Sequence, residues 1–294
     1  MSEFRLRLRW AGLILLACAV PCGTRGATHP PAIDTPFVRF TIRAETGRYE
    51  ILDKRAHVTW GSSPFIPRFG RAVLRRAGTA HPVDLRQCEV RQEGDSLRVI
   101  FHSTAESAAD GVQVRVRPID GGRGLDFTYE PVGPTAVEGV RLLDEGLGIS
   151  NSEGGYLVIP VREGLLLPAD SGRAFIHQFD TSAYEGCHME MLGAVKQNAA
   201  VLVTWEDPYV AAEVRSTLTN AVAGGASQWL TTSLLLRKSA TSFQMRFLGR
   251  GDYNTLARAY REIAQRRGWW VPWSEKLKSN PRRSRLFGAV NFKL

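Results

Sequence analysis

The most unusual run in the sequence is Tyr184-Glu185-Gly186-Cys187-His188-Met189-Glu190. Carboxylates and an imidazole at this spacing suit sugar hydroxyls, because the carboxylates accept protons and the ring can donate or accept. Read as an extended strand, the run puts His188 and Glu190 on one face and Cys187, Met189 and Met191 on the other. The same pattern is ordinary sandwich design, with sulfur-bearing side chains turned inward. A metal site at His188 and Glu190 would need a third ligand in register, and none is present. A second candidate is Trp205-Glu206-Asp207-Pro208-Tyr209, which Asp-Pro makes a turn. Rings that stack on the CH faces of sugars, beside carboxylates that accept hydroxyl protons, are the residue types of carbohydrate recognition. Glu185, His188, Glu190, Trp205, Asp207 and Tyr209 are therefore the carbohydrate-contact candidates. The alternative for Trp205 and Tyr209 is that they close the end of the core.

Other chemistry is poorly served. Interconverting sugar anomers takes a general acid and base, commonly His and Glu. His81, His102, His177 and His188 are available with Glu185 or Glu190, but in no recognisable motif. The sequence has no phosphate-cradling glycine loop, no Ser or Cys nucleophile motif, no zinc spacing of Cys and His, and no cofactor motif. Cys88 and Cys187 either pair or stay as free thiols, which spacing alone does not decide.

The N-terminus reads as an export signal over residues 1–27. Arg5, Arg7 and Arg9 precede the apolar run Ala11–Val20, which is too short to span a bilayer. Leu15-Leu16-Ala17-Cys18 resembles a lipobox, making Cys18 a lipidation candidate; cleavage near Gly26 or Ala27 is the alternative. The expected location is therefore periplasmic, extracellular or lipid-anchored at the envelope, with membrane contact only through that anchor. Net charge is +9, but residues 1–27 carry +3 and residues 250–294 carry +8, leaving −2 for residues 28–249. A near-neutral body argues against nucleic-acid binding.

These groups must be held by strands. After a leader over Thr28–Pro36, Val38, Phe40 and Ile42 alternate with polar residues, as do Leu97–His102, Val112–Arg117 and Leu125–Glu130. Asp120-Gly121-Gly122 makes a hairpin of the last two. Tyr49–Leu52, Tyr156–Val161, Trp229–Leu236 and Phe243–Phe247 continue the series, and Ala199–Trp205 reads as buried on both faces. Many short strands without helices predict an all-β fold, a large antiparallel β-sandwich over residues 37–249. At residue 250 the pattern changes. Asp252 caps a helix to about Arg267, Gly268 ends it, and Leu256, Ala259, Tyr260 and Ile263 form its apolar stripe. Trp269, Trp270 and Trp273 read as a hydrophobic seam or a sugar-stacking platform. Lys276–Arg285 is a solvated linker, and Leu286–Val290 a terminal strand without a partner.

Four segments carry a family resemblance. TGRYEILDKRAHVTW (Thr46–Trp60) resembles the opening hairpin of the galactose-mutarotase-like β-supersandwich found at the N-terminus of multidomain glycoside hydrolases, the endo-α-N-acetylgalactosaminidase and α-galactosidase- or α-glucosidase-like enzymes. GYLVIPVREGLLLP (Gly155–Pro168) resembles a mid-sandwich strand followed by a Gly-Leu-Leu turn. YNTLARAYREIAQRRG (Tyr253–Gly268) resembles the helix linking sandwich to catalytic barrel, and LFGAVNFKL (Leu286–Leu294) the entry into barrel strand one. The resemblance covers residues 37–294. It implies a carbohydrate ligand and a (β/α)8 barrel as partner, with the catalytic carboxylates on the barrel. A barrel takes about 250 residues, and nine remain from Leu286. The expectation is a non-catalytic sandwich portion, residues 250–294 being the linking helix and the start of a missing barrel. The alternatives are a self-contained exported carbohydrate-binding protein or lipoprotein and, in another class, an aldose mutarotase.

Overall fold

The computed structural model describes residues 30–76, 78–104, 107–134, 136–162, 164–180, 186–221, 225–237 and 239–287. The expected signal segment with Cys18, and Glu185 of the candidate site, lie outside the described residues. Strands β1 (Ala32–Asp34), β2 (Val38–Ile42), β3 (Tyr49–Asp53) and β4 (Val58–Gly61) form a small antiparallel sheet in sequential order. Then follow β5 (Gly70–Arg76), β6 (Thr79–Leu85), β7 (Cys88–Glu93), β8 (Ser96–Thr104), β9 (Ser107–Ile119) and β10 (Gly124–Val132). The middle of the chain supplies β11 (Ala136–Ser150), β12 (Gly155–Ile159), β13 (Leu165–Pro168), β14 (Phe175–Asp180) and β15 (Met191–Lys196). The last strands are β16 (Ala199–Thr204), β17 (Val210–Ala221), β18 (Gly225–Arg237) and β19 (Ser242–Arg250), before helices α1 (Tyr253–Arg266) and α2 (Trp273–Ser279).

The strands close into a nine-stranded sheet, ordered β13-β12-β15-β16-β19-β10-β9-β8-β7, and a six-stranded sheet, β14-β17-β18-β11-β5-β6. All pairings are antiparallel. One core joins their inward faces: Val112, Val114, Val116, Leu125 and Phe127 from the larger sheet meet Val140, Leu142, Leu230, Leu234 and Val214 from the smaller. The four-stranded sheet enters through aromatics. Phe40 meets Phe127 edge-on at 5.9 Å, and Phe127 stacks on Phe243 at 4.8 Å. This is an all-β, sandwich-like fold.

β15 and β16 explain their continuous apolar character. Leu192, Ala194, Val201 and Val203 face the main core, whereas Met191, Val195, Ala200 and Leu202 lie under Leu256 and Ile263 of α1. A strand buried on both faces has no polar side to show. Gly193 permits the approach, because a Cβ there would stand 2.5 Å from Leu256 Cδ1. α1 begins where expected: the Asp252 carboxylate accepts from the Thr255 N–H at 3.0 Å while the Thr255 hydroxyl accepts from the Asp252 N–H at 3.3 Å. Gly268 follows its end with φ +70°.

Several expectations are corrected. Part of the leader forms β1, and Leu165–Pro168, expected to continue a turn, forms the edge strand β13. The linker stretch is partly helical, because α2 occupies Trp273–Ser279. Leu286 closes a 3₁₀ turn over Pro281–Leu286 rather than opening a strand; the rest of that segment beyond Phe287 is outside the described residues. Asn280 caps this turn by accepting from the Arg282 N–H at 3.1 Å, and Pro281 favours a helical start.

Candidate carbohydrate-contact site

The loop before β15 and the loop after β16 lie side by side because the two strands are hydrogen-bonded neighbours, Met191 opposite Thr204. The Trp205 N–H donates to the Glu190 carbonyl at 3.3 Å and so extends that pairing into the loops. The C-terminal end of α1 joins them. Arg267 pairs with Glu206, and its guanidinium lies 4.7 Å from the Trp269 ring centre. Arg261 covers Trp270 in the same way at 4.8 Å. The result is a surface cluster of carboxylates, guanidiniums and exposed indoles, with Trp269 51% exposed.

The segment Gly186–Glu190 is irregular and not the strand expected from its spacing; β15 starts at Met191. Cys187 is buried, but Met189 is 44% exposed and shares the surface with His188, so the face alternation fails. Backbone bonding holds the loop instead. The His188 N–H donates to the Pro160 carbonyl at 2.7 Å, and its ring Nδ1 accepts from the Arg162 N–H at 3.2 Å. Trp205 is 2% exposed and closes the core, so no sugar reaches its ring. Asp207 accepts from the Tyr209 N–H at 2.8 Å and from the Ser239 hydroxyl at 2.6 Å, which fixes the Asp-Pro turn and leaves the Tyr209 ring exposed.

Glu190, Glu206 and Asp207 converge here. Burial pushes the Glu190 carboxyl above the usual carboxylate range; Arg267 opposes that, and Glu206 and Asp207 add to it. In the window just above the ordinary carboxylate pKa the folded chain therefore holds more protons than the unfolded one, and stability falls as pH rises through it. Glu190→Gln is expected to raise Tm at pH 7, by at most about 2 °C since solvent screens a half-buried group. At pH 4 the gain should vanish. Melting both proteins at the two pH values checks this, and a variant that melts lower at pH 7 contradicts it.

Sequence reading missed Arg267, Arg261 and Tyr260, whose side chains reach the cluster from α1. Tyr260 is raised by burial and takes a hydrogen bond from the Glu190 backbone. His81 and His177 fall on β6 and β14, opposite edges of the six-stranded sheet, while His102 is on β8 of the nine-stranded one. His188 alone of the four shares the loop of Glu190. Cys88 and Cys187 are both free thiols, each pushed up to about 12, chiefly by burial.

Beside the cluster runs an apolar groove of about 700 Å³ between α1 and the β12–β13 edge, where Leu165, Leu166, Met189, Tyr253, Tyr260 and Trp270 face solvent or one another.

No protein-family model matches the sequence, and no curated protein does. Solved structures share the fold. The alpha-N-acetylgalactosaminidase NagBb from Bifidobacterium bifidum, in its GalNAc complex, superposes with a TM-score of 0.66 at 14% identity, covering 87% of this chain and 42% of that one. Its Gal-NHAc-DNJ complex gives a TM-score of 0.64 at 14% identity, with 87% and 42% covered. The chain thus spans about two-fifths of the length of the solved structures it matches. At this identity the likeness is one of fold: the all-β sandwich described above is an architecture also present in that enzyme.

Proposed function

We propose that the chain is the non-catalytic sandwich part of an exported glycoside hydrolase, contacting glycan at the Glu190–Glu206–Trp269 cluster and bracing a (β/α)8 catalytic domain. The observation that carries this reading is the apolar surface along α1. Trp269, Trp270, Trp273, Leu165 and Leu166 are exposed, with Leu165, Leu166 and Trp270 lining one groove, and apolar surface of this kind marks an interaction site. The fold likeness to a glycosidase supports it. Stacking rings beside carboxylates supply the sugar-contact chemistry.

Affinity electrophoresis of the full chain through gels holding galactosaminide- or galactoside-bearing glycans tests the reading. Retardation is expected, and Glu206→Ala combined with Trp269→Ala should weaken it at least tenfold, about 1.4 kcal/mol. The chain alone should release no aglycone from an aryl α-N-acetylgalactosaminide. Hydrolysis by this chain would overturn the non-catalytic assignment, and unretarded migration would overturn the glycan contact.

A further inference from the structure

The two flanks of α1 differ. Tyr253, Ala257, Tyr260 and Ala264 line the apolar groove, whereas Thr255, Arg258, Glu262 and Arg266 line a second cavity of about 520 Å³. The opposite wall of that cavity is Arg246 and Phe247 of β19, Asp120 and Arg123 of the β9–β10 turn, and Arg55 of the β3–β4 turn. Five guanidiniums therefore face two carboxylates.

The wall is built rather than loose. Arg246 donates to Asp120 at 2.7 Å, to the Thr204 hydroxyl at 2.9 Å and to Gln244 Oε1 at 2.7 Å. Asp120 reaches it from a left-handed backbone conformation, φ 52°, continued by Gly121 at φ 66° and Gly122 at φ 86°. Arg55 donates to the Phe247 carbonyl, and the Arg55 and Arg123 guanidiniums lie 5.5 and 5.0 Å from the ring centre of Phe37. Asp53 stands 4.0 Å behind Arg55 and Asp120 answers Arg246. Arg123, Arg258 and Arg266 close no ion pair within 4 Å among the described residues. Glu262, one turn from both Arg258 and Arg266, closes none either. The excess positive charge is felt inside: burial lowers the Arg246 pKa, Asp120 opposes this, and the nearby Arg266 and Arg267 lower it further.

We propose that this cavity binds an oxyanion, the sulfate or phosphate ester of a sugar. Guanidinium forks without carboxylate partners that line one cavity are matched by tetrahedral oxyanions, which accept several N–H donors at once. Arg246 at the inner wall is largely buried, which raises the worth of its charge above the value in open water. The sugar attachment rests on the function proposed above; the oxyanion site does not.

The test is calorimetric titration of the full chain with inorganic sulfate, inorganic phosphate, galactose 6-sulfate, galactose 6-phosphate and galactose, ionic strength held constant with chloride. Sulfate or phosphate should bind in the presence of that chloride, and one sugar ester should bind at least tenfold tighter than its inorganic counterpart, which identifies the source. Arg258→Gln with Arg266→Gln should weaken binding at least tenfold. Glu262→Gln, which removes an opposing charge, should tighten it about threefold, a gain that misfolding does not mimic. Inorganic anions binding no better than chloride, or a double variant with unchanged affinity, would overturn the site. If the inorganic anions bind through Arg258 and Arg266 but the esters bind no tighter, the oxyanion site stands and the carbohydrate reading fails.

Discussion

Asp144→Ala is expected to destabilise the folded chain by about 3 kcal/mol, the cost of taking its nearer carboxylate from the buried Arg68 and leaving the Arg71 and Ser233 donors unmatched. The Asp144 side chain is fully buried in β11 and serves two guanidiniums directly: Arg68 pairs with it, and Arg71 donates from Nε at 3.2 Å and Nη2 at 3.1 Å. The Ser233 hydroxyl adds a bond at 3.4 Å, and Arg141, held mainly by Glu213 at 2.6 Å, stands 3.8 Å away. Arg68 is itself nearly buried, so water does not replace the lost carboxylate. The backbone has been bent to build this network. Leu143, Glu145 and Leu147 all have φ near +50°, and the register between β11 and β18 shifts at Leu142–Gly146 and again at Gly146–Ile149. Bulges of this kind re-aim a side chain that regular pleating would place elsewhere. Asp144→Asn keeps the shape and one acceptor oxygen for the Arg68 and Arg71 donors, so it should cost about half as much. Asp95→Ala, at an exposed turn, is the control and should stay within about 0.5 kcal/mol. Urea denaturation of the three variants at pH 7 reads the result. A loss below about 1 kcal/mol for Asp144→Ala would mean that solvent screens the network.

The second large effect is expected at Asp53, fully buried at the end of β3. Its carboxylate accepts from the Arg55 N–H at 3.0 Å and the Ala56 N–H at 3.3 Å, which closes the β3–β4 turn. The other oxygen accepts from the Gly249 N–H at 2.9 Å, tying that turn to the end of β19 where α1 departs. Asp53→Ala abandons three backbone donors in a dry site and should cost about 3–5 kcal/mol, each orphaned group being worth about 1–3 kcal/mol before relaxation. Asp53→Asn retains one good acceptor and should recover roughly half. The discriminating readout is amide exchange: Gly249 should lose protection in Asp53→Ala more than amides in β8 or β9. Equal loss throughout would point to global unfolding instead of a broken tie.

How much of this was legible depended on burial. β2, β8, β9 and β10 announce themselves because one face of each turns apolar residues into the core and the other carries mostly polar ones, which writes a period of two into the residues. β16 was legible for the opposite reason, being apolar throughout under α1. Some of the strands that escaped notice are at sheet edges, while β5, β11, β15 and β17, inside their sheets, escaped as well because bulges or loops break their pattern. β6, β13 and β14 terminate their sheets and bury few side chains, so selection for one-sided apolarity never acted on them and no alternation appears. The His188 loop failed in a related way. Its apolar sulfur residues suggested an inward face, yet Met189 lines the groove beside α1 while Cys187 turns into the core.

The candidate sites show where local reading stops. Asp252 and Gly268 could be recognised as helix ends because a cap is satisfied within a few residues. That Arg267 meets Glu206, 61 positions away, or that Arg55 and Arg123 share a cavity with Arg246, Arg258 and Arg266, depends on contacts between residues far apart in the chain. Local alternation, turns and caps express short-range hydrogen bonding and one-sided burial, and they were enough to specify an antiparallel all-β body followed by an amphipathic helix. Which loops neighbour one another, and which arginines are left without a carboxylate, was settled only when the nine-stranded sheet closed in its non-sequential order and α1 packed on β15 and β16. Long-range pairing places charges by geometry that no window of sequence contains.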